Sequence, residues 1–289
     1  MTDMDHTQNQ SRPKLVTLLF ILVAITSVLS LLYASQFYAG GPLRLPVVSK
    51  LYDLAFERRQ SLLAVGTQDG EVLLWEVPRR INTRVTTEED VAAQEPWPVY
   101  ALPGQGAPVI EVAFTPDGSN LISVGQNGTV KQRDLSAGVT AGIENDEGQT
   151  VFAIQGAQLN DASFSEDASL LATIADDAIV RVWDLTTGQA LQTISAGKES
   201  KTVLALNTAG TLVAAGDGAN IQVWDVETGA PVQQLEGYWA DEKVQEDWLG
   251  HDEEVTALAF GPDDQSLASG SADTTIVFWD LASGEVASM

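Results

Sequence analysis

One spacing recurs five times along this chain and narrows its fold more than any other feature. Phe56 to Trp75, Phe114 to Arg133, Phe164 to Trp183 and Phe260 to Trp279 each span 19 residues, and Leu206 to Trp224 spans 18. Twelve residues before the end of each span lies a leucine: Leu63, Leu121, Leu171, Leu212 and Leu267. Three residues before it lies a β-branched side chain: Val72, Val130, Val180, Ile221 and Ile276. An acid follows each end directly, as Glu76, Asp134, Asp184, Asp225 and Asp280. The segments between are short, rich in β-formers and punctuated by Asp, Gly and Pro, which reads as strands joined by tight turns. A small antiparallel sheet of that size cannot bury its own faces, so five of them must stack radially and cover one another. A helical solenoid is excluded, because nothing from Leu45 onward sustains a 3.6-residue apolar period.

The last repeat carries the most information. Gly250-His251 is followed by an apolar strand, the turn Gly261-Pro262-Asp263-Asp264, a second strand, and Trp279-Asp280. A Gly-His pair at this distance from Trp-Asp resembles a repeat of the WD-repeat family. The resemblance covers Val47 to the C-terminus and implies an all-β, WD-type β-propeller of five detectable blades over residues 45–289. The pairs Trp75-Glu76, Trp183-Asp184, Trp224-Asp225 and Trp279-Asp280 occupy the Trp-Asp position. The resemblance further implies a hydrogen-bonded tetrad of His251, Ser269 or Ser271, Asp273 and Trp279, which fastens a loop to its blade. Earlier repeats depart from it: Gly104-Gln105 stands for Gly-His, Arg133 replaces a tryptophan, and the turn acid becomes Asn127 or Gly218. The early blades are therefore expected to be less firmly pinned than the last.

Closure is left with two outcomes, a tight five-bladed ring or an incomplete arc. Rings of this family usually close when an N-terminal strand completes the last blade. Here the candidate strand contains Pro42 and Pro46, which cannot donate to a ladder, and Glu285–Met289 offers only a short outer strand. The reading leans to the arc, whose ends would need a second copy or a partner subunit to cover them.

Residues 1–14 form a polar tail. Leu15–Tyr33 is 19 residues without a charge, as a helix roughly 28 Å long and close to a bilayer's hydrocarbon thickness. An uncleaved transmembrane helix is the favoured reading over a cleaved signal peptide. Arg12 and Lys14 abut the span, which places the N-terminus in the cytoplasm and the propeller outside it. Residues 34–44 are a linker.

The net charge is −25, and with Asp3, Asp5, Arg12 and Lys14 set aside the rest of the chain holds 13 basic and 38 acidic residues. That surface repels phosphate backbones and argues against nucleic acid as a partner. It serves solubility, or it attracts a basic protein. Cysteine is absent, so disulfides and thiolate sites are excluded. The histidines are His6 and His251, too few for a Ser-His-Asp or metal-hydrolase site once His251 is placed in the tetrad. No catalytic, cofactor or metal residue is identified. The expected function is a membrane-anchored, non-enzymatic protein–protein scaffold. The alternative is a ligand-binding or hydrolytic propeller working through carboxylates alone.

The tryptophan positions are 58, 50, 41 and 55 residues apart, and the excess marks insertions at Pro78–Glu95, Ser136–Gln149 and Glu236–Leu249. The third sets Tyr238, Trp239 and Trp248 among acids. It reads as a partner-contact loop or as a plug folded back onto its blade.

Overall fold

A computed structural model of the protein describes residues 50–76, 99–139, 143, 146–154, 158–196, 203–241 and 246–288. The tail, Leu15–Tyr33, the linker and Pro78–Glu95 lie outside these residues. Among the described residues no helix is long and apolar enough to cross a membrane.

Twenty of the strands form five blades, each a four-stranded antiparallel sheet whose strand order follows the chain. Blade 1 holds β1 (Leu51–Glu57), β2 (Leu62–Thr67), β3 (Val72–Glu76) and β4 (Val99–Leu102). Blade 2 holds β5 (Val109–Phe114), β6 (Asn120–Gly125), β7 (Thr129–Asp134) and β8 (Gln149–Ala153). Blade 3 comprises β9 (Leu159–Phe164), β10 (Leu170–Ala175), β11 (Ile179–Asp184) and β12 (Ala190–Ser195). Blade 4 comprises β13 (Leu204–Leu206), β14 (Leu212–Asp217), β15 (Asn220–Asp225) and β16 (Pro231–Leu235). A separate hairpin, β17 (Tyr238–Asp241) and β18 (Glu246–Leu249), precedes blade 5. Blade 5 is β19 (Val255–Phe260), β20 (Ser266–Ser271), β21 (Ile276–Asp280) and β22 (Val286–Ser288). Its outer strand comes from the C-terminal side and is three residues long, and among the described residues no N-terminal strand joins this blade.

Register explains the recurrent spacing. In blade 1 Phe56 pairs with Leu63 and Leu63 with Trp75; Phe260, Leu267 and Trp279 repeat this in blade 5. Side chains alternate across a strand, so the aromatic, the leucine and the tryptophan share one face of the sheet. Blade 4 corrects the sequence reading. Trp224 pairs with Val213, while Leu212 pairs with Asp225. The cause is the two-residue turn between Asp217 and Asn220, which shortens the span by one and leaves no place for the turn acid.

The Phe-Leu-Trp face of each later blade packs on the opposite face of the blade before it. Hydrophobic clusters of this kind join blades 1 and 2, 2 and 3, 3 and 4, and 4 and 5. Among the described residues no cluster joins blade 5 to blade 1; Leu63, Val65 and Trp75 cluster only with Leu54 and Leu73 of their own blade. The β-branched residue of the recurrent frame faces the following blade. Val72, Val130, Val180 and Ile221 are fully buried there, whereas Ile276 is 41% exposed. At the other end Phe56 is 46% exposed, against 7% for Phe260. Glycines tell the same story. A Cβ on Gly66 would lie 2.6 Å from the Val109 carbonyl of the next blade, whereas one on Gly270 would meet only Ala257 of its own blade at 3.7 Å. Among the described residues the clusters thus link the blades in chain order from 1 to 5, while Leu63, Val65 and Trp75 on the outer face of blade 1 are nevertheless buried.

Candidate interaction surfaces

A polar framework fastens the loops to their blades, and its best-formed part is the tetrad. His251 is buried, with Nδ1 2.9 Å from Asp273 Oδ2 and Nε2 2.7 Å from Ser269 Oγ. The Trp279 Nε1–H donates to the same Ser269 oxygen at 2.8 Å. Ser271 is elsewhere, donating to the Glu253 carbonyl. Burial alone would raise the Asp273 carboxyl, but hydrogen bonds from Thr275, His251 and the Asp252 amide outweigh it and bring its pKa down to about 2.

Blade 2 has a substitute that the sequence reading missed. Gln105 and Arg133 both donate to Ser123 Oγ, and the Arg133 guanidinium also donates to the Pro103 carbonyl at 2.7 Å. Asn127 donates to the Gln105 carbonyl, taking the place of the turn acid. The expectation of weak pinning is therefore corrected for this blade. Gln105 at the His251 position and Arg133 at the Trp279 position were the available signal. In blade 3 the Trp183 Nε1–H donates to Thr173 Oγ1 at 2.9 Å. Blade 1 has Val65 at that position, and Trp75 Nε1 is buried with no hydrogen-bond partner. The acids after the tryptophan position act locally: Asp184, Asp225 and Asp280 accept backbone amides of the turn to the outer strand, and Asp134 does the same for Ser136. Glu76 instead lies 3.5 Å from the Tyr100 hydroxyl.

Three carboxyls on inner strands were also not singled out from the sequence. Asp53, Glu111 and Asp161 each stand three residues before the phenylalanine of their repeat, on β1, β5 and β9. Asp53 accepts the Val112 amide of blade 2 at 2.9 Å, and Asp161 accepts the Leu204 amide of blade 4 at 2.8 Å. Glu111 is hydrogen-bonded to Asp53. Burial pushes Asp53 up to about 6 and Asp161 up to about 7; for Glu111 burial and the neighbouring acids raise it well above the usual range. All three thus take part in contacts between neighbouring blades, so they read as interblade ties first. Among the described residues no group of acids and histidines has metal-site geometry.

The hairpin rises between the outer strand of blade 4 and the inner strand of blade 5. Its register is regular: Tyr238 opposite Leu249, Trp239 opposite Trp248, Asp241 opposite Glu246. Gly250 closes its base at φ +113°, where a Cβ would overlap the Cα of Gly237.

Comparison with known proteins agrees with this architecture. Residues 32–223, well over half of the chain, match the family model described as Nucleolar protein 10-like, N-terminal domain, a β-propeller. The chain belongs to that family. Residues 242–280 of this nucleolar protein 10-like propeller match the WD domain, G-beta repeat. Striatin-4 from Homo sapiens is 27% identical over 134 residues, 45% of this chain but 17% of its own length. Protein HIRA from Zea mays is 48% identical over 42 residues, 14% of this chain and 4% of its own. The chain therefore spans only a small part of either relative. Among solved structures, the computationally designed Ika8 protein aligns with a TM-score of 0.55 and 24% identity, over 82% of this chain and 60% of that one. This likeness shows the fold alone.

Proposed function

We propose that the chain is a non-enzymatic, membrane-tethered scaffold whose blades hold protein partners. The observation that supports this reading is the exposure of Phe56 and Ile276 on the first and last blades, although Leu63, Val65 and Trp75 on the Phe56 face are buried. An uncovered sheet face or edge favours association with another chain. A second copy or a partner subunit at those ends is the corresponding assembly. WD-repeat likeness in two curated relatives supports the scaffold class. The uncharged run Leu15–Tyr33 supports the anchor, and Arg12 and Lys14 support a cytoplasmic N-terminus with the propeller on the other side. The carboxylate-only alternative loses ground because Asp53 and Asp161 are engaged by backbone amides.

Three measurements on the full chain test this. After alkaline carbonate extraction it should stay with the membrane, and protease added to intact cells should remove the propeller; release by carbonate would sink the anchor, and full protection would reverse the topology. In mild detergent, light scattering should give a protein mass above one polypeptide. A stable monomer that resists aggregation would contradict assembly through the ends.

A further inference from the structure

We infer that Glu111 is a proton-operated latch between blades 1 and 2, closing their inner seam onto Asp53 when its carboxyl is protonated and loosening it when the proton leaves. The device belongs to the fold itself and goes beyond the scaffold reading.

Its basis is a row of interblade ties in which one place is filled differently. The residue three places before the recurrent aromatic is Asp53 in blade 1 and Asp161 in blade 3. Each reaches the inner strand of the following blade, accepting the Val112 amide at 2.9 Å and the Leu204 amide at 2.8 Å. In blade 2 the same place holds Glu111. The amide that would match it in blade 3, that of Ala162, is already taken by Asp161 Oδ1 at 2.9 Å. Glu111, one methylene longer, bonds backwards to Asp53 instead. Asp53 already accepts the Val112 and Leu54 amides, so it is the acceptor in this bond too, and the proton sits on Glu111. Blades 4 and 5 carry Val203 and Ala257 at this place and have no such acid.

The surroundings of Glu111 offer no counter-charge. The strands packed on β5 are β1, β2, β6 and β9. No ionisable residue lies on β2 or β6. From β9 comes Asp161 and from β1 comes Asp53, both acids that oppose its ionisation. The remaining ionisable groups of β1 are engaged elsewhere: Glu57 accepts the Arg59 and Gln60 amides, and Tyr52 is exposed with Lys50 over its ring. An ionised Glu111 therefore faces Asp53 as one carboxylate against another across the seam. The latch contributes fully below the ordinary glutamate value of 4.5 and is lost as pH rises through the raised value of the folded chain.

Hydrogen exchange on the full chain in detergent, compared at pH 6 and pH 9, tests the latch, each amide being referred to the urea-unfolded chain. Relative to the β19 amides of blade 5, protection of the β5 amides should fall by about tenfold or more over this interval. In Glu111→Gln, which keeps a donor without the charge, the ratio should stay within about twofold. Protection of β19 also reports whether the variant has folded. Infrared spectra at pH 6 should show a protonated-carboxyl band that is weaker in Glu111→Gln than in the parent. A constant β5 ratio in the parent, an equal fall in parent and variant, or an unchanged infrared band would overturn the inference.

Discussion

Asp161→Asn is expected to stabilise the protein by about 2 kcal/mol at pH 8 and to change little near pH 4. The ordinary carboxylate value is 3.8, and burial raises Asp161 to about 7 in the folded chain. Between those values the unfolded chain has released the proton while the folded chain still holds it. Folding therefore becomes less favourable as pH rises through this window, and the penalty is complete above about 7. Asp53 acts in the same sense up to about 6. Asp273, lowered to about 2, acts oppositely: its contribution is present above 3.8 and lost as pH falls towards 2. Stability should thus peak near pH 4–5, between the two sets of values. Urea unfolding from pH 4 to 8 measures this. General repulsion among surface acids produces a slope of the same sign, but salt screens it and Asp161→Asn does not remove it. A variant with the same slope as the parent would contradict the assignment.

His251→Ala should cost about 3 kcal/mol, the largest loss expected from a single histidine here. The change leaves a cavity, takes a partner from Ser269 Oγ, and leaves the Asp273 carboxylate without the ring that lies 2.9 Å away. Because Trp279 donates to the same Ser269 oxygen, part of the network survives and the blade should still fold. The hairpin, one residue upstream, should become more susceptible to protease. A loss below about 1 kcal/mol would place His251 outside the fold's stabilising network.

Much of the propeller was legible because strand register converts directly into sequence spacing. An aromatic, a leucine and a tryptophan that pair across three strands must recur at a fixed interval when turn lengths are equal. Where a turn is shorter by one residue, as at Gly218-Ala219, the same counting picked Leu212 although Val213 pairs with Trp224. The tetrad was legible because its residue types are unusual and their order fixed. Ser269 and Ser271 differ by two positions and so share a face, which is why only the structure distinguishes them. The blade 2 substitute was hidden by chemistry rather than by position: an arginine and a glutamine make the bonds that an indole and an imidazole make elsewhere. Asp53, Glu111 and Asp161 were in plain register before their phenylalanines, but an acid in a β-strand is readily taken for a solvent-facing residue. The exposure of Ile276 could not be read at all, since its sequence context equals that of Val72, Val130, Val180 and Ile221. Among the described residues no hydrophobic cluster reaches it from another blade, which sets it apart.

We propose that the blades form an open series, with Phe56 and Ile276 on its two end blades. The chain contains no cysteine, so spin labels can be placed singly by substitution. Phe56→Cys and Ile276→Cys put them on exposed positions of the first and last blades. The distance between the labels, measured by pulsed electron resonance on dilute full-length protein in detergent, decides the matter. Stacked sheets lie about 10 Å apart, so an open series should give a separation well beyond twice that value. A distribution centred near one sheet spacing would mean that blade 5 packs on blade 1, and the arc would give way to a closed five-bladed ring.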